Sequence, residues 1–151
     1  MWCSSWTADW GQDLPEGEAL GVAAHRSFDT YVASVVKVKT ADDGSISIPE
    51  VHTAVDCGFC FKPEHVASQM EGAAVMGITV GMYSGINSVT GEFGNSIFHD
   101  SPIARINSYP KKVHTHIVKP LFSVARHRHG RTRCSTFVSA LAIAIFVARG
   151  K

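Results

Sequence analysis

The sequence predicts an α+β fold in which antiparallel hairpins pack on one long helix and a second helix closes the C-terminus. Three observations carry this expectation. β-rich runs flank an Asp-Gly turn at Asp43-Gly44. A helical pattern opens at Pro63, directly after them. Further short β-rich runs follow, so strands lie on both sides of the helix in an α+β pattern.

Taken in order, Trp2, Trp6 and Trp10 recur every four residues, which would place them on one helical face of what reads as a severed element. Gly11 to Gly21, with Pro15, reads as a loop. Val22-Ala23-Ala24 and Tyr31 to Val38 read as strands, and Val35 to Lys39 with Ser45 to Val55 as a hairpin about Ala41-Asp42-Asp43-Gly44. Apolar alternation from Ile46 through Ile48 and Val51 to Val55 ends at Asp56-Cys57-Gly58. In the helix that follows, Pro63 suits the first turn and Glu64 the positive end of the dipole. Val66, Met70, Ala73, Ala74, Gly77 and Gly81 recur at helical spacing. That face is small. Glycine inside a helix costs about 1 kcal/mol relative to alanine, so Gly77 and Gly81 imply a close approach by a sheet, a partner helix or a bulky ligand.

Beyond the helix, Tyr83 to Val89, a Thr90-Gly91 turn and Phe93 to Phe98 read as a second hairpin, and Val113 to Val118 as one more strand. Lys119 to Cys134 has neither helical nor strand period. Phe137 to Arg149 regains the helical one, with Gly150 placed as its cap.

A length of 151 residues with 45% hydrophobic and 18% charged content fits one domain with a single core and excludes disorder throughout. Cys3, Cys57, Cys60 and Cys134 are too scattered for a disulfide framework, which points to a reducing compartment. The start MWCSSWTADW lacks the basic region and apolar run of a secretory signal. Phe137 to Ala148 is shorter than the about 20 residues a membrane span needs, so no transmembrane segment is expected. The net charge of +1 conceals a division: all 13 acids lie in residues 1–100, while residues 101–151 hold ten of the 14 Lys and Arg. Such asymmetry is one signature of a nucleic-acid or membrane tail.

Several constellations carry chemistry in principle. Cys57-Gly58-Phe59-Cys60 has the CxxC spacing of a zinc or redox pair. A zinc site needs a second ligand pair, and His52 and His65 would have to be folded onto the same point. Two structural thiols and no metal are therefore expected. His127 to Arg133 has the cations to bind a phosphate backbone but no aromatic platform for bases, so nucleic acid is not the expected partner. A small binding module with a basic tail stands as the alternative class. His25, His99, His114 and His116 lie on or beside expected strands without a Ser or Asp at a recognisable motif, and read as structural histidines. Gln69 and Glu71 flank Met70, where a polar amide beside a small-residue face would suit a buried polar cofactor; spacing alone favours a solvated face.

At these residues the sequence resembles a known family. DCGFCFKPEHVASQMEGAAVMG looks like the DCG, NP, Q-x-EG and G segment of the large, molybdopterin-binding subunit of molybdenum hydroxylases, the xanthine dehydrogenase and aldehyde oxidase family. The branch it resembles is that of the isoquinoline 1-oxidoreductase beta subunit and related membrane-associated aldehyde dehydrogenases. WGQDLPEGEALGVAAHRSFDTYVASVVKV and NSIFHDSPIARINSYPKKVHTHIV match in order and spacing, so the resemblance covers about residues 8–118, and LAIAIFVARGK resembles the C-terminal helix.

The resemblance implies the C-terminal part of a longer subunit, within a larger molybdopterin-binding domain. Residues 1–118 would belong to the second such domain, 119–138 would be an aberrant basic segment, and 139–151 the domain's last helix. It further implies molybdopterin cytosine dinucleotide with molybdenum, hydroxylation of aldehydes or N-heterocycles with oxygen from water, and electron transfer to a 2Fe-2S small subunit. Gln69 falls on the glutamine that hydrogen-bonds the cofactor in this family, and Gly72 where the backbone comes close to it. Lys62 stands where the family usually has Asn.

The family's catalytic glutamate, the general base in a Gly-x-Gly-Glu-Pro-Gly segment, has no counterpart, because no acid follows Asp100. No catalytic residue is therefore expected, and the isolated chain should be inactive. Charge, periodicity and resemblance all break at Arg128 to Phe137, RHGRTRCSTF, and recover by Leu141. A shifted reading frame accounts for all three. Codons CGG CAC GGG CGA ACC CGG TGT TCC ACC TTC, chosen within the degeneracy, give Gly-Thr-Gly-Glu-Pro-Gly-Val-Pro-Pro when read one base later. The expectation is that Lys119 to about Val138 is a frame-shifted, poorly ordered stretch.

Overall fold

A computed structural model describes residues 14–27, 30–41, 43–85, 88–89, 92–94, 97, 99, 101–118 and 133–150. The expectations for Trp2, Trp6 and Trp10, the Thr90-Gly91 turn and residues 119–132 fall outside them.

The elements are β1 (Glu18–Ser27), β2 (Thr30–Thr40), β3 (Ile46–Asp56), α1 (Pro63–Ile78), β4 (Ser88–Val89), β5 (Glu92–Phe93), β6 (Lys112–Ile117) and α2 (Arg133–Ala148). β1, β2 and β3 form an antiparallel meander and β6 joins β3, giving the order β1-β2-β3-β6. The Asp-Gly turn is where the sequence puts it: Gly44 has φ of +81°, Ser45 N–H donates to Asp43 Oδ1 at 2.8 Å, and Gly44 N–H donates to the Ala41 carbonyl at 2.9 Å. Backbone of this handedness is cheap only for glycine.

The α+β class holds, with adjustments. β1 takes in Glu18 to Gly21, read as loop, because Gly21 lies where α2 crosses the sheet and a Cβ there would overlap the Ala140 carbonyl. β6 runs parallel to β3 rather than in a hairpin, a pairing that needs a long crossover, and α1 lies within that connection. Of the second hairpin, the described residues show the two-residue strands β4 and β5 in antiparallel pairing. Tyr83, expected to begin a strand, closes a π-helical turn, Thr79–Tyr83, in which Ser84 N–H donates to the Thr79 carbonyl at 2.8 Å.

α2 begins at Arg133, so residues 133–138 belong to the helix and not to an irregular stretch ending at Val138. The cause is burial, since Thr136 and Phe137 are already enclosed in the core. Gly150, with φ of +63°, ends the helix as expected.

Both helices cover one face of the sheet. Val36, Val38, Ile48 and Val51 meet Ala74, Ile78, Phe137, Leu141 and Ala144 in the main core. Val32, Val55, Cys57, Val66 and Met70 form a second cluster at the start of α1. The small-residue face of α1 is resolved by this packing: a Cβ on Gly77 would stand 2.5 Å from Phe137 Cδ1, and one on Gly81 3.3 Å from Val138 Cγ1. At Gly77 and Gly81 the close neighbour is the partner helix α2. No helix among the described residues is long and apolar enough to cross a membrane.

Candidate cofactor-binding face

β3 delivers the chain to α1 through a tight loop. Asp56 Oδ1 accepts from Gly58 N–H at 3.2 Å, and Gly58 turns the chain with φ of +70°. The turn drives Cys57 into the core and leaves Cys60 at its edge. Burial pushes the Cys57 thiol up from its ordinary value, and Cys60 beside it adds to the rise. A thiol held protonated in an apolar cluster fills space and is a poor metal ligand, since the thiolate is the ligating form. Phe59 and Phe61 project outward, edge to face with centroids 4.8 Å apart.

Lys62 precedes the helix without a side-chain cap, and Pro63 supplies a first-turn residue that needs no hydrogen-bond acceptor. The helix is then divided lengthwise. Val66, Met70, Ala73, Ala74, Gly77 and Ile78 are buried, while His65, Ser68, Gln69, Glu71, Gly72 and Met76 are exposed. Gln69 and Gly72, three residues apart, share the exposed side. A Cβ added at Gly72 would meet nothing within 4 Å, so the absent side chain is not required by packing within the described residues. This face therefore combines a carboxamide with bare backbone, the surface a polar, bulky group needs for close approach.

A second constellation lies on the other side of the sheet. Side chains alternate along β3, so Val51, Thr53 and Val55 face the helices while Glu50 and His52 face away. The parallel register sets His52 beside His114, and Ala54 beside His116. Glu50 Oε1 lies 2.8 Å from His114 Nε2 and 3.3 Å from His52 Nε2, and His52 Nδ1 lies 3.5 Å from His116 Nε2. The rings are stacked, His52 on His114 at 4.8 Å and 17°, and His52 with His116 at 5.8 Å and 9°. Burial lowers the pKa of His52, with the Glu50 carboxylate opposing the shift. The sequence gives His114 and His116 only as single structural residues and weighs His52 only beside the CxxC, because β3–β6 pairing alone brings the three together. His25 and His99 are exposed and outside this group, and His65, exposed on α1, joins no cluster of three ligands with Cys57 and His52 among the described residues.

No protein-family model matches the sequence. Solved structures share the fold. Quinoline 2-oxidoreductase from Pseudomonas putida superposes with a TM-score of 0.71 at 16% identity, covering 80% of this chain and 16% of that one. A Cu,Mo-CO dehydrogenase gives 0.70 at 18% identity, covering 80% and 16%. Aldehyde oxidoreductase from Desulfovibrio desulfuricans gives 0.65 at 14%, covering 78% and 13%. The architecture is thus that of a domain of the molybdenum hydroxylases.

In sequence, the isoquinoline 1-oxidoreductase subunit beta of Brevundimonas diminuta is 31% identical over 116 residues, covering 74% of this chain. The chain belongs to the molybdenum hydroxylase family, as the counterpart of part of its molybdopterin-binding subunit. It spans 15% of the length of that curated relative.

Proposed function

We propose that this chain forms one wall of a molybdopterin site inside a large oxidoreductase subunit and does not catalyse alone. The observation that carries the reading is the lengthwise division of α1. One half is consumed by packing on α2 and the sheet, and the half bearing Gln69 and Gly72 is polar, open and bare at the backbone. The Gln69 carboxamide can donate to and accept from a pterin, and Gly72 lets such a group reach the helix backbone. Molybdopterin cytosine dinucleotide with its molybdenum, when bound, supplies the redox chemistry for hydroxylating aldehydes or N-heterocycles with oxygen from water. The remainder of the large subunit would complete the site, and a 2Fe-2S small subunit would take the electrons.

This chain's own residues bind and orient. They do not move the proton, because no Asp or Glu follows Asp100 to take up the general-base position of the family. The test is Gln69→Ala at the matching position of an intact relative: molybdenum and pterin content should fall, and unchanged content would refute the role. Molybdenum and pterin measured in the chain co-purified with its genomic neighbours separate this reading from the binding-module alternative. That alternative would instead be supported by salt-sensitive DNA binding lost on deleting residues 119–133.

A further inference from the structure

The sheet face turned away from α1 and α2 holds a group that the cofactor reading does not use. We propose that Glu50, His52 and His114 form a binding site for one divalent transition-metal ion of the zinc class. The three ligand atoms all lie within 4.8 Å of one another, and both imidazole Nε2 atoms converge on the same carboxylate oxygen. Ligands at the bond lengths of tetrahedral zinc stand roughly 3.3 Å apart. The His52–Glu50 separation is already 3.3 Å. The His114–Glu50 separation of 2.8 Å is that of a hydrogen bond, and an ion between them would open it by about 0.5 Å. His114 and Glu50 are 44% and 36% exposed, so rotation about their side-chain torsions can supply that opening.

His52, with 12% exposure, is the fixed member. Its Nδ1 lies 3.5 Å from His116 Nε2, which leaves its Nε2, 3.3 Å from Glu50 Oε1, as the ligating nitrogen when Nδ1 carries the proton. A hydrogen-bonded second nitrogen is what orients a histidine ligand. Lys37, which stands across from Glu50 in the sheet, has its ammonium 3.1 Å from Glu18. Two imidazole nitrogens and one carboxylate oxygen suit zinc, copper or nickel better than calcium or magnesium, and three protein ligands leave a coordination position for water.

The experiment is titration of the chelator-washed full chain with zinc chloride at neutral pH, read by competition with a chromophoric chelator. One zinc per chain is expected, weakened more than about tenfold in His114→Ala and in Glu50→Gln. Cys57→Ser/Cys60→Ser and His127→Ala/His129→Ala should bind as the parent does. Binding that survives His114→Ala, that disappears with the cysteines or the tail histidines, or that is absent from the parent overturns the site. Circular dichroism checks that His114→Ala is folded. X-ray absorption at the zinc edge of the parent decides independently of any variant: nitrogen and oxygen neighbours support the site, and sulfur neighbours refute it.

Discussion

Cys57 and Cys60 are identical in chemistry and three positions apart, yet the loop gives them opposite fates. Cys57 is enclosed with Val32, Val55, Val66 and Met70, whereas Cys60 lies at the rim. Under native conditions iodoacetamide is expected to label Cys60 well before Cys57, measured by mass spectrometry of peptides; equal rates would refute the buried assignment. The raised Cys57 pKa also sets a pH dependence. The folded state keeps the thiol proton that the unfolded state releases, so this contribution to stability is complete below the ordinary thiol value of 9.0 and is lost as pH rises above it. Comparing denaturant midpoints at about pH 8 and about pH 10 should show a larger fall in the parent than in Cys57→Ala. The CxxC spacing was legible in the sequence, but the unequal burial of its two members was not. The histidine group was not, because His52 and His114 meet only through the register of two distant strands, and no local spacing encodes that register.

Glycines on α1 stand in two different surroundings. Gly77 faces α2, and alanine there would gain about 1 kcal/mol of helix propensity but place its Cβ 2.5 Å from Phe137. Overpacking of that kind costs roughly 1–3 kcal/mol, so Gly77→Ala should destabilise the chain in urea unfolding. Gly72 faces open space, and Gly72→Ala should stabilise the isolated chain by about 0.5–1 kcal/mol. In an intact subunit the same change should lower molybdenum content, because the added methyl occupies the cofactor's approach. A Gly72→Ala subunit with unaltered molybdenum would count against the proposed wall. Phe137→Ala removes the ring that closes against Gly77 and should cost about 3–5 kcal/mol. The helical spacing of α1 was legible because period and Pro63 agree. Which cause lay behind its small residues was not, since a partner helix and a ligand demand the same absence of side chains.

At the scale of the whole molecule, the β2–β3 hairpin was legible because its turn chemistry and alternation are local, while the parallel seat of β6 was not, since nothing within Lys112–Ile117 names its neighbour. The charge division remains to be explained at this scale. Residues 101–151 carry ten Lys and Arg and no acid, and the family resemblance implies a general base in that stretch. Arg128 to Phe137, read one base later through permitted codons, becomes Gly-Thr-Gly-Glu-Pro-Gly-Val-Pro-Pro. Nine consecutive residues of the missing segment, glutamate included, then stand between the last strand and the final helix. A GC-rich frame would also yield Arg and His in excess, which would produce the basic run without a nucleic-acid partner. The coding DNA is therefore expected to carry compensating insertions or deletions on either side of residues 119–138. The glutamate codon should run across the codons for Arg131 and Thr132. Direct sequencing of that stretch decides it: codons there that cannot give Glu in the alternate frame would sink the idea and raise the basic-tail reading in its place. Restoring the frame within an intact subunit should return the proton acceptor, and hydroxylation of an aldehyde or N-heterocycle would be the measured gain.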